Sequence, residues 1–179
     1  MKLNRKYLLM LTIAGFIVAI DQASKLYVHS YFGLGESVPV IPNFFHFTYV
    51  RNMGAAFGMF SSHSETFREL FFLSMPPVAM AIILLILRGV EEADRVQVFA
   101  LSCIFGGAIG NYIDRLKFRY VIDFLDFHMT TPGFLRQLSS KKIISWPAFN
   151  VADVAIVAGV LILAYLIFNE PKEAEGVES

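Results

Sequence analysis

The sequence predicts a membrane fold built on four transmembrane helices, and three observations carry that prediction. Apolar residues make up 56% of the 179-residue chain. Charged residues make up only 17%, against about 25% in soluble domains. The apolar residues also cluster, forming four segments each near the roughly 20 residues needed to cross a bilayer.

The first segment covers residues 7–28 and carries no charge before Asp21. It follows Lys2, Arg5 and Lys6, as the core of a cleaved signal peptide would. The run is longer than such a core, however, and Asp21-Gln22-Ala23-Ser24-Lys25 stands where a small-x-small cleavage site would be needed. The second segment covers residues 70–87, the third 96–113 and the fourth 151–168. Four spans place both termini and the short charged loop at residues 88–95 on one side. The connections at residues 29–69 and 115–149 then lie on the other. The three basic residues ahead of the first span put the termini in the cytoplasm. The full count opposes this, with six basic residues on the terminus side and eight opposite. The first span usually governs orientation, so cytoplasmic termini are the expectation.

The first outer connection holds Val38-Pro39-Val40-Ile41-Pro42 and Phe45-His46-Phe47-Thr48-Tyr49-Val50. The second of these is rich in aromatic and β-branched residues, which predicts a short strand or hairpin at the membrane surface. The same aromatics suit an interfacial belt. Residues 170–179 carry Glu170, Glu173, Glu175 and Glu178 and are expected to form a disordered acidic tail. Residues 1–169 are then a single membrane domain.

Composition excludes several classes of function. Net charge is zero and there is no basic run, which argues against nucleic acid as a partner. The one cysteine, Cys103, sits in an apolar stretch. It allows neither a disulfide framework nor a cysteine metal site, and reads as a small packing residue. His29, His46, His63 and His128 all fall outside the spans. No serine sits in a nucleophile elbow, and no His-x-x-x-His pair or carboxylate–histidine spacing points to a metal.

What remains is a set of polar residues at span ends, where burying an ionisable group costs about 2.5–3.5 kcal/mol. Asp21 and Lys25 are four apart, so on a helix they share a face and can pair, bracing a neighbouring site. Arg51-Asn52-Met53-Gly54-Ala55-Ala56-Phe57-Gly58 surrounds an asparagine with small residues. That pattern lets a backbone approach closely, and Asn52 can both donate to and accept from a peptide. Gly106 and Gly110 have the spacing of close helix packing. Asn111, Asp114 and Arg115 follow on one face. Asp123 lies among Val121, Ile122, Phe124 and Leu125, company that raises a carboxyl pKa unless the group is paired or solvated. Asn150 is a good helix N-cap, and Asp153 falls in the first turn, where the helix dipole favours a negative charge. Two carboxylates in unequal environments can divide acid and base roles. The residues alone leave open which of Asp114, Asp123 and Asp126 partners Asp153. All these clusters fall near the outer ends of spans.

Taken together and in order, the DQASK, RNMGAAFG, GNYIDR, VIDF and FNVAD stretches resemble the motif series of lipoprotein signal peptidases, also called signal peptidase II. The resemblance runs from about residue 7 to 168. It implies four transmembrane helices with a small outer-side β-sheet cradle and a loop or short helix at the membrane surface. It implies an aspartic endopeptidase with Asp123 and Asp153 as its catalytic pair. Asn52, Gly54, Asn111, Arg115 and Asn150 are implied to hold substrate, with Asp21, Lys25 and Asp114 in support. The implied substrate is a diacylglyceryl prolipoprotein in the bacterial inner membrane, cut just before its lipidated cysteine near the outer face. Membrane lipids and globomycin-type inhibitors are the other implied partners, and no cofactor is required. One departure is the distance of 30 positions between Asp123 and Asp153, longer than is usual in the family. The excess falls at residues 130–145, where Arg136, Lys141 and Lys142 lie. Two readings from other classes are a proton-coupled transporter, which intramembrane carboxylates also mark, and a non-enzymatic assembly factor. Four spans without an internal repeat fit a transporter poorly.

Overall fold

Helix α1 (Arg5–Tyr31) starts where Asn4 accepts a hydrogen bond from the Lys6 amide, satisfying one of the free N–H groups of a first turn. The structure, a computed structural model, describes residues 4–54, 64–130 and 143–169. Helix α2 (Glu65–Gly89) is capped by Ser64 and contains Pro76 and Pro77; prolines are tolerated in spanning helices, where neighbours re-satisfy the freed backbone groups. Helix α3 (Arg95–Phe118) is capped by Asp94, and α4 (Val151–Phe168) by Asn150. All four are long and apolar enough to cross a membrane.

The predicted spans are therefore present, and three of them run past their expected ends. Continuation of α3 to Phe118 is the most consequential extension, because it places Asp114 and Arg115 on the same helix as Asn111. The helix stops at Arg119, whose φ of 65° is left-handed. Large apolar side chains such as Phe16, Leu85 and Leu161 are exposed on α1, α2 and α4. In water they would form a large apolar patch; in a bilayer they face hydrocarbon.

Helix α3 is central, packing on α1, α4 and α2. Glycines make this closeness possible, as the spacing of Gly106 and Gly110 predicts. A Cβ on Gly106 would lie 2.9 Å from the Ala14 Cα of α1, and one on Gly107 would strike the Ala152 carbonyl of α4. An apolar cluster of Met10, Leu87, Val98 and Leu101 closes the end near the termini. A second, of Val28, Tyr49, Ile122 and Phe124, closes the other end beneath a sheet.

That sheet has four antiparallel strands in sequence order: β1 (Ser37–Ile41), β2 (Phe45–Asn52), β3 (Val121–Thr130) and β4 (Ile143–Ser145). The short strand or hairpin expected at residues 45–50 is present as β2, which forms a hairpin with β1. Residues 121–130, to which composition and periodicity alone assign no element, form the central strand β3. In its register Val50 faces Asp123 and Asn52 faces Val121. The expected short surface helix or loop, the acidic tail and Arg136, Lys141 and Lys142 fall outside the described residues.

Candidate active site

Asp123 and Asp153 approach each other because the segment before α4 adds to the sheet. Phe149 pairs with Leu125 of β3: its N–H donates to the Leu125 carbonyl at 3.1 Å, and its carbonyl accepts from the Leu125 and Phe124 amides at 2.8 and 3.0 Å. This fixes the start of α4 two residues along the strand from Asp123. Two aspartates 30 positions apart in sequence are thereby brought to one site.

Three asparagines from three elements aim their amide N–H groups at the two carboxylates. An asparagine side chain offers a donor end and an acceptor end, and here each acceptor end is pinned by another group. Asn52 Oδ1 accepts from the Gly54 amide at 2.8 Å, a local Asx turn. Gly54 sits at φ 91°, and a Cβ there would overlap the Phe72 ring, so glycine is required. The donor end of Asn52 then reaches Asp123 Oδ2 at 2.9 Å. Asn150 Oδ1 accepts from the Asp153 amide at 3.0 Å, which is the helix cap. Its Nδ2 donates to Asp123 Oδ1 at 2.7 Å and to Asn111 Oδ1 at 3.1 Å. Asn111 Oδ1 also accepts from Lys25 Nζ at 2.9 Å, leaving its Nδ2 to donate to Asp153 Oδ1 at 2.8 Å. Asp153 Oδ2 accepts from the Asn150 amide at 3.1 Å, completing a capping box.

The two carboxylates differ in surroundings, as the sequence predicts. Asp123 is buried at 1% exposure, while Asp153 is half-buried. Burial, and then the negative charge of Asp153, push the Asp123 carboxyl up to about 7 against the pull of its Asn52 and Asn150 donors. Asp126 is not part of this pair. Three positions along a strand reverse the face, and Asp126 accepts from Thr48 Oγ1 at 2.8 Å and lies 3.6 Å from His128 Nδ1.

Beneath the pair lies a buried polar layer. Lys25 Nζ pairs with Asp21 Oδ2 at 2.9 Å, the predicted four-residue pair, and with Asp114 Oδ2 at 3.1 Å. Asp21 Oδ1 accepts from the Ala152 amide in the first turn of α4 at 2.9 Å. Asp114 Oδ2 accepts from the Ile122 amide, next to Asp123, at 3.0 Å. These residues tie α1, α3, β3 and α4 to one another. Arg115 stands apart from its predicted neighbour Asp114. Its Nη1 donates to the Asn111 carbonyl at 3.4 Å and its guanidinium lies 5.5 Å from the Phe72 ring centroid. With Asn52, Phe72 and Tyr120 it lines a cavity of about 110 Å³ beside the pair.

Sequence reasoning missed Gln22, whose Nε2 donates to Asp114 Oδ1 at 2.8 Å and the Gly110 carbonyl at 3.1 Å. A polar amide inside a span was the available signal. It also gave Phe72 no role, and nothing in the local sequence distinguishes that ring from its neighbours. A serine–histidine contact exists between Ser37 Oγ and His46 Nδ1 at 3.0 Å. However, His46 Nε2 is buried with no hydrogen-bond partner among the described residues, so no carboxylate orients it as a triad requires. Among the described residues no cluster suits a metal ion.

Known proteins resemble this chain in sequence and in fold. The family model for signal peptidase II matches residues 13–169. The lipoprotein signal peptidase of Syntrophus aciditrophicus is 40% identical over 96% of this chain and 99% of its own. That of Geobacter metallireducens is 41% identical over 98% and 99%. A bacterial membrane enzyme solved by the in meso method superposes with a TM-score of 0.74 at 28% identity, covering 93% of this chain and 92% of that one. By these matches, and with four membrane-length helices around a small sheet, the chain belongs to the signal peptidase II family, the peptidases that process prolipoproteins.

Proposed function

We propose that the chain is an intramembrane aspartic endopeptidase in which Asp123 and Asp153 activate a water molecule to cut a diacylglyceryl prolipoprotein just before its lipidated cysteine. The observation that carries this reading is the asparagine frame: three amides with fixed orientations point at two carboxylates in unequal surroundings. Asp123, raised by burial to about 7, carries the proton of the pair and polarises the scissile carbonyl. Asp153, in the first turn of α4 and less buried, takes a proton from water. Water adds to the carbonyl carbon, and the tetrahedral intermediate collapses with transfer of a proton to the leaving amine. The proton belongs to the coupled pair rather than to either residue.

Asn52 and Arg115, which line the cavity beside the pair, form the groove proposed for the peptide backbone. Gly54, Asn111 and Asn150, which are buried, complete the substrate-binding set from behind it, with Asp21, Lys25 and Asp114 holding the elements beneath. A signal peptide is itself an apolar helix, so an enzyme in the bilayer meets it and the attached lipid at one depth. The proposed setting is the bacterial inner membrane, with both termini cytoplasmic, the pair near the outer face and membrane lipids around the spans. Residues 1–169 act as one domain carrying a terminal tail at 170–179. Inhibitors of the globomycin type would occupy the same groove. The test is mass-spectrometric mapping of the cut made in a synthetic prolipopeptide, with and without the diacylglyceryl group. Cleavage before the modified cysteine alone supports the proposal; cleavage elsewhere, or equal cutting of the unmodified peptide, defeats it.

A further inference from the structure

A second cavity lies at the opposite end of the helices, near the termini. It is lined by Arg5, Lys6 and Leu9 of α1, Glu92 of the α2–α3 loop, and Arg95 and Val98 of α3. Three cations thus face one carboxylate. Arg5 and Arg95 are exposed, and neither forms an ion pair among the described residues. Lys6 is held differently. It is 8% exposed, and its Nζ donates to the Arg88 carbonyl at 2.9 Å and the Val90 carbonyl at 2.6 Å. An ammonium has three N–H groups, and the third has no acceptor among the described residues. The α1 and α3 N-termini both open here, adding the positive ends of two helix dipoles. The nearby Asp94 carboxylate is engaged in capping α3 through the Gln97 amide at 2.9 Å. Below the cations, Leu9 and Val98 give the cavity an apolar floor.

A cationic mouth over an apolar floor, at the end of membrane-spanning helices, matches a molecule with an anionic head and hydrocarbon tails. Basic pockets between transmembrane helices bind phospholipid headgroups for this reason. We propose that this cavity is a binding site for the phosphodiester headgroup of an anionic phospholipid, with Arg5 and Arg95 holding the phosphate and Lys6 as the buried donor beneath it. The site joins the start of α1 to the start of α3, so an occupied site stabilises the helix pair that carries the candidate active site at its other end. It does not depend on the proposed catalytic roles.

The test uses the purified chain in neutral detergent, with phosphatidylglycerol or phosphatidylcholine added. Retained lipid is measured by native mass spectrometry, and apparent Tm in parallel. Wild type is expected to retain phosphatidylglycerol preferentially and to gain Tm saturably. The variant Arg5→Gln with Arg95→Gln is expected to bind it about thirtyfold more weakly, from the usual worth of two cations near a headgroup. Each single variant, altering one exposed side chain, is expected to lose about fivefold on the same basis and carries the test should the double variant not fold. The charge-matched variant Lys117→Gln with Arg119→Gln, at the other end of α3, is expected to bind as wild type does. Equal losses in the two double variants would show bulk charge attraction and overturn the proposal. Equal retention of phosphatidylcholine would overturn it too, as would equal stabilisation by free glycerol phosphate, which would make the ligand a soluble anion.

Discussion

Replacing Asn150 with serine separates two functions held by one side chain. Its oxygen caps α4 by accepting from the Asp153 amide, and its Nδ2 donates to Asp123 at 2.7 Å. Serine caps helices about as well as asparagine, but it is too short to reach Asp123 while capping. The Asn150 donor acts to lower the Asp123 pKa, so its loss raises it. A hydrogen bond to a charged group is worth about 1.5–3 kcal/mol, and one pKa unit is about 1.4 kcal/mol. The proton of the pair should therefore be held about one to two units higher. The mechanism needs that proton, so activity falls on the alkaline side as it is lost. The assay is the pH dependence of kcat/KM on a fluorogenic lipopeptide. The alkaline limb should begin near pH 7 in wild type and move up by about one to two units in Asn150→Ser. Asn150→Ala should move the limb similarly, and should lose about 1 kcal/mol of additional stability with the cap. An Asn150→Ser limb that coincides with wild type, in a folded variant, would refute the link between this amide and the protonation of the pair.

Other consequences concern stability. Lys25→Met leaves Asp21 and Asp114 buried beside no cation, and breaking a buried ion pair from one side costs about 3–5 kcal/mol; unfolding in micelles should show it, and near-wild-type stability would count against the buried layer. Gly159→Ala places a methyl 2.5 Å from the Ala100 carbonyl oxygen, where backbone cannot easily retreat. It should cost about 1–3 kcal/mol, while Gly15→Ala, which meets nothing within 4 Å, should be neutral or slightly stabilising in the same assay. The raised pKa of Asp123 also has a sign. The folded chain holds a proton that the unfolded chain releases above about pH 4, so this contribution is present below pH 4 and lost as pH rises through about 7. Asp123→Asn should flatten the fall of apparent Tm between those values; an unchanged slope would mean that another group causes it.

Legibility in the sequence followed the strength of the physical constraint. The spans were readable because a bilayer demands about 20 apolar residues, and the Asp21–Lys25 pair because helical spacing fixes it. The N-cap role of Asn150 was readable from residue type alone. The far end of α3 was not, because polar residues at 114–117 look like a span ending in water, whereas here the helix continues against the sheet. Residues 121–130 were obscure for a related reason. β3 is paired on both edges and partly buried on both faces, so its carboxylates interrupt a run without clear alternation. Which aspartate partners Asp153 came from the family resemblance; the residues alone left three candidates. The contacts support that choice: Asp114 pairs with Lys25 and Asp126 with Thr48, while Asp123 shares the asparagine frame with Asp153. Phe72 became visible only through contacts between distant segments, whereas Gln22 carried a signal in the sequence, a polar amide inside a span.

The most direct test of the proposed mechanism compares purified wild type with Asp123→Asn and Asp153→Asn on a diacylglyceryl prolipoprotein, each variant first shown to be folded and able to bind the substrate. The account predicts that wild type releases the signal peptide while both variants bind substrate and cut nothing. Normal cleavage by either folded variant would contradict the assignment of the pair.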